Sequence, residues 1–173
     1  MGERRFIMRY TYTLKETMEA AANISTFITP DKTIEIAGVS INLTYDDDIL
    51  ASRGLVLGAA MNTTIGPFII ISNKLKGDEQ LTNFVIAHEA GHILNGDLDK
   101  IPSSQVIGNI KRCCLAIGGN VQPEELAADA FAVSMIGKKV AISSLKKIMT
   151  SEKMPTSSRK EIANRIKVIQ KMK

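Results

Sequence analysis

The chain has 173 residues, of which 45% are apolar and 23% are charged, and these values indicate one globular domain with a substantial core. It has no tryptophan and only 5% aromatic residues, which argues against a surface that stacks bases or sugars. The net charge is +4, but residues 153–173 alone carry seven basic residues and one acid. We interpret that segment as a solvated helix face, so a nucleic-acid role is not favoured.

The chain shows no obvious targeting signal or membrane segment. No apolar run is long enough to cross a bilayer, and residues 1–12 lack the apolar stretch of a secretory signal. Gly2 is not followed by the Ser or Thr of a myristoylation site. We therefore expect a cytoplasmic protein. Cys113 and Cys114 are adjacent, and buried thiols in a helix are favoured over a disulfide or a metal site.

The first half of the chain predicts one helix and then short strands. A helix is expected over Thr13–Ile24, where apolar residues share one side. Asp46-Asp47-Asp48 is interpreted as a turn or helix start in preference to a cation site. Four runs rich in β-branched and apolar residues predict strands, the first two separated by Gly38 and the last two forming a hairpin: Thr33–Ala37, Val39–Tyr45, Leu55–Met61 and Pro67–Ser72.

A helix with well-marked ends follows the last strand. Asp78 is a natural N-cap, and Asn95-Gly96 fits a C-cap with Gly96 in the left-handed conformation. Gly91 inside this helix costs about 1 kcal/mol relative to alanine. A small residue there would let another backbone or a substrate approach closely.

The second half predicts further helices. One is expected around Gln105–Leu115, and another begins at Pro123, a favoured first helical position, and continues to Gly137. Two more are expected over Val140–Thr150 and Ser158–Met172. In the last one Ser158 and Glu161 suggest a capping box, and Ile162, Ile166 and Ile169 form an apolar stripe.

The only two histidines of the chain lie four residues apart in the sequence His88-Glu89-Ala90-Gly91-His92. On a helix these two positions share one face, so both imidazoles can bind one tetrahedral Zn²⁺. Glu89 would then lie beside the water that the metal activates and could take its proton. The motif predicts a zinc hydrolase site with one Zn²⁺ per chain.

A catalytic zinc site needs a third protein ligand, and Glu125 is the best candidate. Asp129 lies one turn further along the same helical face and could accept the free N–H of a ligating imidazole, which would fix the tautomer of the ring. Glu124 is a rival, although it points about 100° away around the helix. Asp97 is a weaker rival, and its default interpretation is a turn residue.

The residues from His88 to Asp97 resemble the active-site helix of the HtpX and CAAX-prenyl-protease family of gluzincin metallopeptidases, which often read H-E-x-x-H-x-x-N-G-H/D. The segment 125–132 is similar to that family's second motif, E-x-x-A-D-x-x-A. More faintly, Pro155–Ile166, with Arg159 and Arg165-Ile166, echoes its H-P-S-x-x-x-R-I segment, whose histidine is absent here. The same motifs also look similar to ImmA/IrrE-type proteases, with only a partial match in the second helix.

The resemblance implies a fold and a set of roles. The fold is α+β, with a small N-terminal mixed or antiparallel sheet and a helical, zincin-like half. Residues 1–66 would hold the N-terminal helix and strands, 67–137 the catalytic core and 138–173 the C-terminal helices of a single domain. By position, the resemblance makes Glu89 the general base and Asp129 a partner of a ligand. The implied metal ligands are His88, His92 and Glu125, and the implied substrate strand, which would add an extended peptide at the sheet edge, is Phe68, Ile69, Ile70 and Ile71.

The leading hypothesis is a zinc-dependent metalloendopeptidase that acts on a protein or peptide. A second hypothesis is a regulatory protease that inactivates a repressor and has a regulatory protein partner. A third is a non-catalytic binding module that keeps zinc for stability, although such a module has no need of the base Glu89.

Overall fold

The computed structural model describes residues 29–52, 57–98, 122–151 and 154–172. Within them a four-stranded mixed sheet precedes a set of helices, so the predicted α+β class is confirmed. The helices expected over Thr13–Ile24 and Gln105–Leu115, and the pair Cys113 and Cys114, lie outside the described residues. The strands are β1 (Lys32–Ile36), β2 (Val39–Tyr45), β3 (Gly58–Thr63) and β4 (Gly66–Ile71), and the helices are α1 (Asp47–Ser52), α2 (Glu79–Leu94), α3 (Pro123–Ile136), α4 (Lys138–Met149) and α5 (Thr156–Lys171).

The sheet has the strand order β1-β2-β4-β3. Two antiparallel hairpins, β1–β2 and β3–β4, are joined by a parallel pairing of β2 with β4. The first hairpin turns at Ala37 and Gly38, which both have positive φ (51° and 79°), as a tight hairpin turn requires. The three aspartates after β2 mark the start of α1, as the sequence suggested.

Strand β4 is one of the two inner strands of the sheet, and it is buried on both faces. Ile69 and Ile71 belong to the core under the helices, and Phe68 and Ile70 belong to a smaller core that includes Leu50 of α1. All four β4 residues are fully buried. The unbroken apolar run of this strand, without alternation of polar residues, is the pattern of a strand covered on both sides.

Helix α2 has the ends that the sequence predicted. The side chain of Asp78 accepts a hydrogen bond from the backbone N–H of Leu81, Asn95 is the C-cap residue, and Gly96 has φ of +66°. Helix α2 packs against both β3 and β4 and, most extensively, against α3. It therefore forms the layer between the sheet and the remaining helices.

Helices α2 and α3 cross at Gly91. A Cβ atom on Gly91 would lie 2.8 Å from Cα and 3.1 Å from the carbonyl oxygen of Ala128, so no larger residue fits without moving the α3 backbone. The close approach of another backbone, which the small residue predicted, is confirmed. The crossing brings the middle of α2, with its two histidines, against the first half of α3.

Helices α4 and α5 pack against each other, and both also contact α3. Helix α5 begins at Thr156, two residues before the predicted start, and Pro155 is its N-cap. The capping box of Ser158 and Glu161 is therefore wrong, because both residues lie inside the first turns and are buried. No helix among the described residues combines the length and the apolar character needed to cross a bilayer.

Replacing Gly91 by alanine is expected to destabilise the fold. The added methyl group meets backbone atoms of α3, and overpacking of this kind costs about 1–3 kcal/mol, which exceeds the gain of about 1 kcal/mol in helix propensity. Chemical denaturation in the presence of a chelator measures the free energy of unfolding. The matched control is Asn83→Ala, at an exposed position of the same helix, which should be neutral or slightly stabilising. A Gly91→Ala protein as stable as the wild type would contradict the close crossing.

Candidate metal site

The two histidines lie on one face of α2, as their spacing predicted. Both are buried, with 7% of His88 and 2% of His92 exposed to solvent. Their Nε2 atoms are 3.3 Å apart, and the two rings are nearly perpendicular. Two imidazole nitrogens that face each other at this distance, away from water, need a shared proton or a shared cation between them.

Glu125, in the first turn of α3, completes the group. Its carboxylate oxygens lie 3.4 Å from Nε2 of His88 and 3.4 Å from Nε2 of His92. The two imidazole nitrogens, 3.3 Å apart, have the separation of two ligands about 2.05 Å from a tetrahedral Zn²⁺. The contact of Glu125 with His88 is through Oε2, and its contact with His92 is through Oε1. The Oε1 atom of Glu125 is also buried without a hydrogen-bond partner. His88, His92 and Glu125 thus form a candidate metal site.

The two carboxylates that rivalled Glu125 have other positions. Glu124 is exposed at the start of α3. Asp97, which follows the C-cap of α2, is buried, and its Oδ2 lies 3.1 Å from Nδ1 of His92. Asp97 is therefore the acceptor that orients the second imidazole and more than a plain turn residue. This role was not predicted from the sequence, although Asp97 occupies the last position of the motif that begins at His88.

Asp129 lies beside a ligating imidazole, as predicted. It is fully buried, and its Oδ1 lies 3.0 Å from Nδ1 of His88. Each imidazole therefore has a carboxylate at Nδ1 and presents Nε2 to the centre of the site. An acceptor at Nδ1 fixes the tautomer in which the Nε2 lone pair is free to bind a metal.

Arg165 of α5 is a further member of the site, and no role was predicted for it from the sequence. Its guanidinium donates to Oε2 of Glu125 at 2.8 Å and, through Nε and NH2, to both oxygens of Asp129 at 2.7 and 2.6 Å. The residue is only 8% exposed. The available signal was its place between Ile162 and Ile166 on the inward stripe of α5, because a buried arginine needs an anionic partner.

The buried charges shift the pKa values of the site residues. Burial lowers the pKa of His88, but hydrogen bonds to Asp129 and Glu125 outweigh it and raise the pKa to about 10. Burial likewise lowers the pKa of His92, but Glu125 and the nearby Glu89 raise it overall. Burial raises the pKa of Glu125, but the Arg165 guanidinium and the two imidazoles hold it well below its usual range. A metal that binds here must therefore displace protons.

Glu89 faces the sheet and is partly buried. A Cβ atom added to Gly58, the first residue of β3, would lie 3.3 Å from Oε1 of Glu89 and 2.6 Å from Cγ1 of Val85. The carboxylate of Glu89 thus lies directly under the start of β3. The absence of a side chain at Gly58 leaves room for it there.

The predicted substrate strand needs correction. The residues Phe68, Ile69, Ile70 and Ile71 pair with β2 on one side and with β3 on the other. Both edges of β4 are therefore occupied, and an extended peptide cannot add to this strand. Within the described ranges the edge strands are β1 and β3, and β3 packs against α2, the helix that carries the histidines.

Comparison of the chain with protein-family models, with curated proteins and with solved structures found no match. Any conclusion about function therefore rests on the residues and their geometry. These form a buried group of two imidazoles and one carboxylate that is suited to a metal ion.

Replacing Glu125 by glutamine is expected to weaken zinc binding by roughly 100-fold or more, because the neutral amide is a poor ligand and removes one of three donors. Chelator competition at pH 7.5 measures the dissociation constant for Zn²⁺. Glu124→Gln is the matched control, one residue away and exposed, and it should bind zinc like the wild type. Equal effects of the two substitutions would contradict the assignment of Glu125.

The stability of the metal-free protein should depend on pH. Because the pKa of His88 is raised from 6.5 to about 10, its stabilising effect is complete below about pH 6.5 and is lost as pH rises toward 10. The pKa of Glu125 is lowered from 4.5, so its stabilising effect is present above pH 4.5 and is lost as pH falls. Metal-free protein should therefore be most stable between about pH 4.5 and about pH 6.5.

Bound zinc should counteract the loss of stability at alkaline pH, because zinc binds the neutral imidazole. Thermal melting with chelator and with excess Zn²⁺, from pH 5 to 9, tests this expectation. The increase in Tm caused by zinc should grow with pH. His88 and His92 are the only histidines in the chain, so the dependence near neutral pH reports on this site. A zinc effect that is independent of pH would contradict the expectation.

Proposed function

We propose that the protein is a zinc-dependent endopeptidase. The observation that carries the proposal is the spacing of the three donor groups, at 3.3–3.4 Å from one another, with a carboxylate, Glu89, next to the first of them in the sequence. A purely structural zinc site has four protein ligands and no need of a base. The described residues supply three ligands, the number that a catalytic zinc has in addition to its water molecule.

Zinc bound at this site would polarise the carbonyl group of a peptide bond and lower the pKa of a water molecule. Glu89 is the residue of this chain that takes the proton of the attacking water and later delivers it to the leaving amine. Its position one residue after His88 puts it beside the site without making it a ligand. Asp129 and Asp97 keep the two imidazoles oriented throughout the reaction.

The substrate is an extended segment of a protein or peptide that lies along β3. A peptide could add to the sheet at β3 instead of β4, because no strand of the described part of the chain pairs with the outer edge of β3. Gly58 brings the backbone of β3 directly over the Glu89 carboxylate. A peptide paired with β3 would therefore pass close to both the base and the donor group.

Replacing Glu89 by glutamine should lower the rate of peptide cleavage by about 10²–10⁴-fold, the usual contribution of a general base. Zinc content should remain at one ion per chain, because Glu89 is not a ligand. The assay combines cleavage of an unfolded protein substrate, followed by mass spectrometry, with metal analysis. Glu79→Gln, an exposed position in the first turn of the same helix, is the control and should keep full activity.

The other outcomes discriminate between the hypotheses. Full activity of Glu89→Gln would refute the assignment of the base. Activity on a repressor protein, but not on generic unfolded substrates, would favour the selective regulatory protease. Bound zinc without turnover of any substrate would favour a binding module stabilised by metal.

A further inference from the structure

Arg165 contacts two carboxylates of the candidate metal site from a third helix. Its contacts with Glu125 and Asp129 span 40 and 36 residues of sequence. The guanidinium is buried with these two carboxylates and forms an ion pair with each of them. Ion pairs of this kind often add little to stability because both partners lose their hydration. The geometry of the contacts points to a role at the metal.

The first effect of Arg165 is on Glu125. Arg165 occupies Oε2 of this carboxylate through a charge-assisted hydrogen bond of 2.8 Å, while Oε1 is buried without a hydrogen-bond partner. A carboxylate can bind a metal through one oxygen or through two. Oε2, which also lies 3.4 Å from Nε2 of His88, is occupied by the guanidinium. Oε1, 3.4 Å from Nε2 of His92, is therefore the oxygen that can bind the metal. Arg165 thus favours ligation through a single oxygen.

The second effect is on His88, through Asp129. Two parallel hydrogen bonds from Nε and NH2 of Arg165, 2.7 and 2.6 Å long, fix the plane of the Asp129 carboxylate. The oxygen that accepts from NH2 is the same Oδ1 that lies 3.0 Å from Nδ1 of His88. The NH2 group is also 3.4 Å from that Nδ1, but the shorter contact of Nδ1 is with Asp129. An ionised carboxylate only accepts hydrogen bonds, so Nδ1 is the donor to Asp129. The lone pair of His88 is then at Nε2.

We propose that Arg165 is the positioning residue of the metal site, holding Glu125 to one-oxygen ligation and, through Asp129, His88 to the tautomer that binds metal. One side chain thus sets two of the three ligands. Single-oxygen ligation keeps a coordination position open for water or substrate, which a catalytic zinc needs. The inference rests on the proposed zinc site, but its readouts are metal affinity and ligand geometry and do not require turnover.

The test uses three substitutions in the full chain. Arg165→Met removes the charge and the donors, Arg165→Lys keeps the charge but not the planar fork, and Arg165→Met with Asp129→Asn removes the charge of Asp129 along with that of the arginine. Arg159→Met, an exposed position of the same helix, is the control. Chelator competition measures the affinity for Zn²⁺, and the visible absorption of the Co²⁺-substituted protein reports the coordination number, because absorption falls as coordination rises from four.

We expect Arg165→Met to bind zinc about 10–100-fold more weakly, the usual effect of losing a partner of a ligand, and Arg165→Lys to lie between it and the wild type. The Co²⁺ spectrum of both variants should weaken as Glu125 becomes free to bind through both oxygens. If Arg165→Met does not fold, the double variant and Arg165→Lys give the same readouts. Arg159→Met should match the wild type in both.

Wild-type zinc affinity and an unchanged Co²⁺ spectrum in the folded Arg165 variants would overturn the inference and leave the peptidase proposal standing. A wild-type protein that binds zinc but cleaves nothing would overturn the peptidase proposal, while the differences among the Arg165 variants would persist. A wild-type chain without affinity for zinc or Co²⁺ would overturn both.

Discussion

The close crossing of α2 and α3 at Gly91 and Ala128 is the constraint on which the site depends. Gly91 immediately precedes His92, and Ala128 lies between Glu125 and Asp129. A crossing at these two residues therefore puts the ligands of one helix opposite the ligand and the acceptor of the other. The helices can approach this closely because Gly91 has no side chain and Ala128 has only a methyl group. The donor spacing of 3.3–3.4 Å follows from this approach.

The crossing also buries two negative charges close together, and helix α5 supplies a positive charge beside them. Glu125 and Asp129 are at most 2% exposed, and two buried carboxylates without cations nearby would be strongly destabilising. Arg165 supplies one positive charge, and the protonated imidazoles or a bound metal supply the rest. This balance explains why the pKa values of the carboxylates and of the histidines are displaced in opposite directions. The same balance ties the C-terminal helix to the site.

Much of the fold and the centre of the site could be predicted from local sequence. The ends of α2 followed from Asp78 and Asn95-Gly96, because caps act within a few residues. The pairing of His88 and His92 followed from helical periodicity. Asp129 was assigned as an orienting acceptor only because it lies one turn from Glu125, and the structure places it at His88. In each case the relevant residues are near one another in the sequence.

The features that were not predicted depend on contacts between residues that are far apart in the sequence. Arg165 is 77 residues from His88, and its basic neighbours in α5 masked it as one more surface charge. The substrate strand was assigned to β4 from the family resemblance. The order of the strands, which places β4 inside the sheet, could not be read from β-propensity. The capping box at Ser158 and Glu161 had the right residue types, but tertiary packing buries both positions.

The wide separation of the site residues along the chain has a consequence for the order of events during folding. His88, Glu125 and Arg165 belong to three helices, and none of these helices can assemble the charges alone. A chain in which α5 has not yet docked has two acidic groups at the α2–α3 junction without their arginine, so that junction should stay hydrated and loose. The contacts around the donors are therefore complete only once α5 has docked, and before that step Glu125 and Asp129 lack their hydrogen bonds from Arg165.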